Sequence, residues 1–220
     1  MINARIQFME ELTRLHHDIL AMGTRAEEDL RRALEALRTG NSELIQEVKA
    51  GDEVINALQI KIEDQTAVLI ATQQPVARDL RELVTVFKVT DNLERIGDHA
   101  VHLAKTASRL ADDPYGQSLE RMERMAEVGC AMIRDSVTAF LNKDVALAVA
   151  TAKRDDEIDG NHKAFVNEVL DYIMKHPEKA SQATKLIATS SFLERLGDHV
   201  TNLCEAVVFM VDGRHVELNE

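Results

Sequence analysis

The chain has 220 residues, 45% of them hydrophobic, with nine glycines and three prolines. This excludes a fibrous or disordered protein and leaves room for one large domain or two small ones. A formal charge of −12 with no basic run excludes direct nucleic-acid binding, which needs Lys and Arg to neutralise phosphates. Aromatic residues make up only 4% and tryptophan is absent, so the core is expected to rest on Leu, Ile, Val, Met and Ala. Cys130 and Cys204 are far apart and form no Cys-x-x-Cys arrangement, as expected of small buried hydrophobes in a reducing compartment. Met1 to Glu11 carries charges and no continuous apolar segment, so no signal peptide is expected. The longest apolar run, Ala206 to Val211, falls far short of the roughly 18 residues a membrane span needs. These features imply a soluble, cytoplasmic protein without a membrane span.

Apolar residues recur at three- and four-residue spacing along nearly the whole chain, the period of an amphipathic helix. The first predicted helix covers 3–39 and stops at Gly40-Asn41, with Ser42 as N-cap of the second, 42–73. Gln74-Pro75 separates it from a third, 76–111, which ends at Asp112-Asp113-Pro114. The fourth, 116–142, stops at Lys143-Asp144; the fifth covers 144–175; His176-Pro177 precedes the sixth, 179–212. No alternating strand pattern competes, so the fold class is all-α.

The halves repeat each other. Met22 falls on Met125, Leu30 on Ile133, Leu34 on Val137, Leu37 on Phe140, Leu44 on Leu147, and Ile55-Asn56 on Ile158-Asp159. From the third helix the offset shortens by three residues, placing Glu94 on Glu194 and Asp98 on Asp198. A deletion near His176-Pro177 accounts for the change. The repeat implies two tandem three-helix bundles, 1–112 and 113–220, sharing a continuous interface rather than a flexible linker.

On a helical wheel Leu93, Ile96, Ala100, Leu103 and Ala107 form the packing stripe of the third helix, and Leu193, Leu196, Val200, Leu203 and Val207 that of the sixth. Gly97 and Gly197 lie beside the stripe; a helical glycine costs about 0.5–1 kcal/mol, so close backbone approach is the expected compensation. Glu94 and Asp98 stand one turn apart on one face, as do Glu194 and Asp198, and Asp91 and His102 extend the first strip. Two such carboxylates repel by a few tenths of a kcal/mol, unless Arg95, Arg195 or a lysine neutralises them. On the second helix of each half Asp155, Asp159 and His162 answer to Asp52, Asn56 and Gln59, with Glu53 beside them. Carboxylates from two neighbouring helices suit hard or borderline divalent and trivalent cations such as Mg, Mn, Fe or Zn. With no cysteine nearby, a tetrahedral sulfur site for zinc is not expected. Asn56 and Gln59 weaken the first set and Ser191, opposite Asp91, weakens the second, so metal is expected at both with unequal affinity.

A carboxylate-bridged iron metalloenzyme or metal store is the main alternative. It would need Glu-x-x-His pairs, yet Gly97 and Gly197 stand three residues after Glu94 and Glu194. A metal-free helical adaptor with a merely solvated acidic stripe is the other. No phosphate-cradling glycine loop or nucleophile elbow is present. His99 falls on another side of the wheel from the carboxylate pair, and His16, His17, His176 and His215 are expected at the surface or in loops.

The motifs Glu94-Arg95-Ile96-Gly97-Asp98 and Glu194-Arg195-Leu196-Gly197-Asp198, with Pro75, Asp79-Leu80-Arg81 and the acidic starts at Asp52 and Asp155, resemble the PhoU family of phosphate-signalling accessory proteins. The resemblance runs over roughly residues 5 to 213, although Glu178-Lys179-Ala180 replaces Asp-Leu-Arg in the second half. It implies two three-helix bundles whose acidic motifs bind multinuclear iron or zinc clusters. Carried onto this chain, it implicates Glu94, Asp98, Glu194 and Asp198 first, then Asp155, Asp159 and Asp52, with Asp91 beyond. It also implies a non-enzymatic negative regulator of phosphate uptake and phosphate-starvation signalling. The partners implied are a phosphate ABC transporter ATPase subunit and a sensor histidine kinase. A homodimer is also expected.

Overall fold

The computed structural model describes residues 2–110 and 119–219, with side chains from 5–106 and 119–219. The expected break at Asp112–Pro114, the boundary between 112 and 113, and the side chain of Ala107 lie outside these residues. Among the described residues seven α-helices follow in order: α1 (Ile2–Thr39), α2 (Ser42–Gln73), α3 (Ala77–Leu110), α4 (Glu120–Asn142), α5 (Val145–Ala152), α6 (Asp155–Lys175) and α7 (Ala180–Asp212), with one 3-10 turn at Pro177–Lys179 before α7. Among the described residues there is no strand.

Local chemistry sets the ends. Asn41, not Ser42, caps α2: its backbone is extended and its Oδ1 accepts from the Glu43 N–H at 2.9 Å. Ser42 is already the first helical residue. Asp144 caps α5, accepting from the Leu147 N–H at 2.9 Å. Gln74, Lys143 and Gly213 end α2, α4 and α7 in the left-handed region, Gly213 without steric cost.

The fifth expected helix is broken between α5 and α6, and its counterpart explains why. In α2 the equivalent of Arg154 is Gly51, where α2 passes α1 so closely that a Cβ would lie 2.0 Å from Asp29 Oδ2. Arg154 carries a side chain there, and its guanidinium reaches Asp135 at 2.7 Å. The same close crossing is barred, and the chain turns for two residues before α6.

The packing stripes predicted on the third and sixth helices are buried wherever side chains are described. Aligned pairs such as Met22 and Met125, or Leu30 and Ile133, are fully buried in both halves. Each such side chain stabilises the fold by about 1.5–3 kcal/mol. One core cluster runs through both halves. The halves meet along α3 and α7, which lie antiparallel: Arg81 Nε donates to Met210 O at 3.3 Å, His199 Nδ1 meets Asn92 Oδ1 at 3.0 Å, and His102 stacks on Phe192 at 4.9 Å.

His16 departs from the surface expectation. It is partly buried on α1, edge-on to Phe140 of α4 at 5.6 Å, with Nε2 3.0 Å from Glu82 Oε1. Glu82, only 3% exposed, also accepts from Lys143 Nζ at 2.5 Å. Burial alone would raise its pKa, but the hydrogen bonds from His16 and Lys143 outweigh burial and hold it below its ordinary value. Among the described residues no helix is long and apolar enough to cross a membrane.

Candidate functional site: two carboxylate sets between helices

In the first half, α3 carries Glu94 and Asp98 beside its buried stripe, and α2 brings Asp52 and Asn56 against them. The contact depends on Gly97: a Cβ there would lie 2.9 Å from Ile55 Cδ1 and 3.4 Å from Asp52 Oδ1. The close approach expected of this glycine is present. Asp52 Oδ1 and Asn56 Oδ1 are both buried without a hydrogen-bond partner, a costly state for polar atoms. Burial first, then Asp98, raises the pKa of Asp52, against Lys105 and His102. Burial, then Asp98, raises Glu94, with Asp91 and Asp52 adding to the effect and Arg95 opposing it. Arg95 stands 3.5 Å from Glu94 Oε2 and 3.4 Å from Asp98 Oδ2. Half-exposed ion pairs of this length contribute about 0–1 kcal/mol. Asp91 is exposed one turn before Glu94.

The second half repeats this with a tighter fit. Asp155 opens α6 and is 6% exposed. A Cβ on Gly197 would lie 2.0 Å from its Oδ1 and 3.2 Å from Ile158 Cδ1, so the pair Asp155 and Ile158 reproduces Asp52 and Ile55. Asp155 Oδ1 is buried without a partner. Its Oδ2 accepts from Thr201 Oγ1 at 3.4 Å and from Asn219 Nδ2 at 3.1 Å. Burial, followed by the charges of Asp159 and Asp198, pushes Asp155 up to about 7, against those hydrogen bonds. Burial and Asp198 likewise raise Glu194, and burial and Asp159 raise Asp198. Asp159 is more open, with Lys163 Nζ 3.9 Å away. His162 Nδ1 lies 3.0 Å from Ser190 Oγ, which itself donates to Ile187 O, so the ring nitrogen donates there.

Thr201 and Asn219 were not legible as parts of this site. A hydroxyl on the packing side of α7 and an amide beyond its end carry no pattern; only the fold brings them to Asp155. His99 points away from the carboxylates, as the wheel requires. Its ring packs on Phe192 at 6.0 Å and faces His199 at 5.4 Å. Burial, then the neighbouring His199 and His102, lowers its pKa to about 4. The Asn92–His199 and Phe192–His99 contacts are the same contact seen from either half. Cys130 and Cys204 are free and buried, and burial pushes both thiols up to about 12, leaving them inert.

A cation would find oxygen donors, buried unpartnered oxygens and raised carboxyl pKa values at both sets. Among the described residues, however, no group of three or more His, Cys, Asp or Glu side chains is arranged to hold a metal ion. The donor chemistry fits, and the carboxylates stand as facing pairs rather than as a closed cage.

A twofold-repeated, all-helical protein with an acidic motif duplicated on its two central helices defines the class. A family model described as the PhoU domain matches residues 19–107 and again 122–207. A phosphate-specific transport system accessory protein PhoU homolog of Clostridium acetobutylicum is 35% identical over 214 residues, covering 97% of this chain and 98% of that one. A protein of the same description from Caulobacter vibrioides is 35% identical over 208 residues, covering 94% of this chain and 90% of that one. The crystal structure of PhoU from Pseudomonas aeruginosa superposes with a TM-score of 0.89 at 31% identity, covering 94% of this chain and 100% of that one. The phosphate transport system regulatory protein PhoU from Streptococcus pneumoniae gives 0.88 at 29% identity, covering 95% and 99% of the two chains. This chain belongs to the PhoU family.

Proposed function

We propose that this protein is a non-enzymatic regulator of phosphate uptake and phosphate-starvation signalling that couples a phosphate ABC transporter to a sensor histidine kinase. The observation that carries this is similarity over nearly the whole chain to proteins named as accessory to the phosphate-specific transport system. Those names describe accessory proteins, and this chain shares their role as a regulator, not an enzyme. A cytoplasmic location follows from the partners, an ATPase subunit and a kinase domain. The test is deletion of the gene. Phosphate-starvation genes are then expressed in high phosphate, and unchanged repression in the deletion strain speaks against the role.

The carboxylate sets serve that role as cation sites. Glu94, Asp98 and Asp52, with Asp91 beyond, hold one; Glu194, Asp198, Asp155 and Asp159 hold the other. The cation, iron or zinc foremost and Mn or Mg otherwise, supplies positive charge that the clustered carboxylates lack. The residues present a fixed, neutralised helix face to a partner. The unpartnered oxygens of Asp52 and Asp155 support this. Metal analysis of protein purified without a metal-affinity tag checks it, with Glu94→Ala/Asp98→Ala expected to lower the metal content. Unaltered content in that double variant would remove the first site from the proposal. The protein acts as a homodimer, which light scattering across a concentration series tests.

A further inference from the structure

The segment after α7 folds back over the second carboxylate set. Gly213 turns the chain with φ 73°, its N–H donating to Phe209 O at 2.9 Å. Arg81 of α3 packs against the turn, its guanidinium carbon 3.4 Å from where a Gly213 Cβ would stand. His215 then stacks on Phe209 at 4.5 Å, and Lys88 Nζ lies 5.3 Å from the centre of the same ring. The Leu218 N–H donates to Glu205 Oε1 at 2.8 Å, and Leu218 packs on the core. Finally Asn219 Nδ2 donates to Asp155 Oδ2 at 3.1 Å and to Asp198 Oδ1 at 3.3 Å. The lengths agree. The helix between Asp198 and Asp212 rises about 20 Å, which six or seven extended residues cover at about 3.3 Å each.

We propose that residues 213–219 form an intramolecular strap that occupies the second carboxylate set, so that a cation enters there only when Asn219 is released. This rests on the reading of Asp155 and Asp198 as cation ligands. A side-chain amide takes up one oxygen of each carboxylate but adds no positive charge. The set is thereby held together yet left electrostatically unsatisfied, with Asp155 Oδ1 buried and partnerless. A cation outcompetes such a donor only after the strap lifts. The Glu205 anchor is particular to the second half: the repeat places Lys105 at that position, and an ammonium cannot accept a backbone N–H as the Glu205 carboxylate does. Access to the second site is therefore coupled to the order of residues 214–219. Any partner that grips or displaces the strap controls occupancy of the second site.

The test uses the full chain in a Glu94→Ala/Asp98→Ala background, which silences the first site. Zn²⁺ is titrated calorimetrically into this protein, into the same protein with Asn219→Ala, and into one ending at Gly213. Amide hydrogen exchange of residues 214–219 is followed with and without Zn²⁺. The strap predicts binding tighter by at least about tenfold once Asn219 is removed, and faster exchange at the Leu218 amide when Zn²⁺ binds the otherwise intact chain. Asn219→Ala keeps the proposal testable should the shortened chain fail to fold. Equal or weaker binding on removing Asn219, with Leu218 exchange unmoved, overturns the strap and leaves the ligand assignment standing. Absence of Zn²⁺ binding in every protein overturns the ligand assignment, and the strap with it.

Discussion

Glycine and carboxylate positions carry the sharpest consequences for single residues. Gly197 admits Asp155 Oδ1 to 2.0 Å of its missing Cβ, so Gly197→Ala should destabilise by about 1–3 kcal/mol in urea unfolding. At Gly97 the nearest atom is the flexible end of Ile55, at 2.9 Å. There the overlap offsets the helical gain of about 0.5–1 kcal/mol, and Gly97→Ala should come out near neutral. Gly160 has nothing within 4 Å, so Gly160→Ala should stabilise by about 0.5–1 kcal/mol. Equal effects at all three glycines would contradict the close crossing at Gly197. Asp155 gives a pH dependence. Its folded-state pKa of about 7 stands above the ordinary 3.8, so its contribution is fully present below about pH 4 and lost as pH rises through 7. In chelator, Asp155→Asn should be more stable than the parent at pH 8, the advantage fading towards pH 4. His99 acts oppositely, staying neutral in the fold down to about 4 while the unfolded chain protonates near 6.5. Stability tied to it is lost as pH falls from about 6.5 to 4.

At the level of helices, two left-handed ends invite a comparison. Gln74 closes α2 at φ 48°, its backbone N–H donating to Ile70 O. A non-glycine residue in this region carries strain, so Gln74→Gly should raise stability by about 0.4–1 kcal/mol. Lys143 closes α4 at φ 57°, yet its ammonium is a partner of the buried Glu82. Lys143→Gly should therefore destabilise despite the relieved backbone, because a buried carboxylate left with His16 alone loses its cationic partner, which costs more than the strain. Thermal unfolding of the two variants side by side checks this, and stabilisation by both would show that Glu82 does not need Lys143. The α5–α6 break follows the same logic: Gly51 lets α2 continue, and Arg154 does not let its counterpart do so.

Across the whole molecule, the halves are joined by contacts that the repeat itself does not supply. Glu82 of α3 binds His16 of α1 and Lys143 at the end of α4, and the repeat places the exposed Gln182 at its position in the second half. Arg81, part of the Asp79-Leu80-Arg81 motif, reaches the carbonyl of Met210 and the turn at Gly213. Glu82→Gln should lower the melting temperature at pH 8. The loss should shrink in acid, because the parent gives up the same contribution as pH falls through the depressed carboxyl value. A loss independent of pH would place the effect in packing instead of charge.

The amino-acid sequence by itself determined that the fold class is all-α, that its halves repeat, and which faces of the third and sixth helices are buried. These properties depend on spacing along one chain segment, which apolar periodicity and helix breakers record directly. Glu94, Asp98 and their repeats were legible for the same reason, being one turn apart on one helix. Only the tertiary structure decided that the fifth helix breaks, because that depends on what Gly51 and Arg154 meet across a helix crossing. It alone brought Asn219 and Thr201 to Asp155, left Asp52 Oδ1 and Asp155 Oδ1 without partners, and drew His16 inside. Local sequence specifies each helix and its faces; which residues distant in sequence become neighbours, and what burial does to their charge, is set when the helices pack.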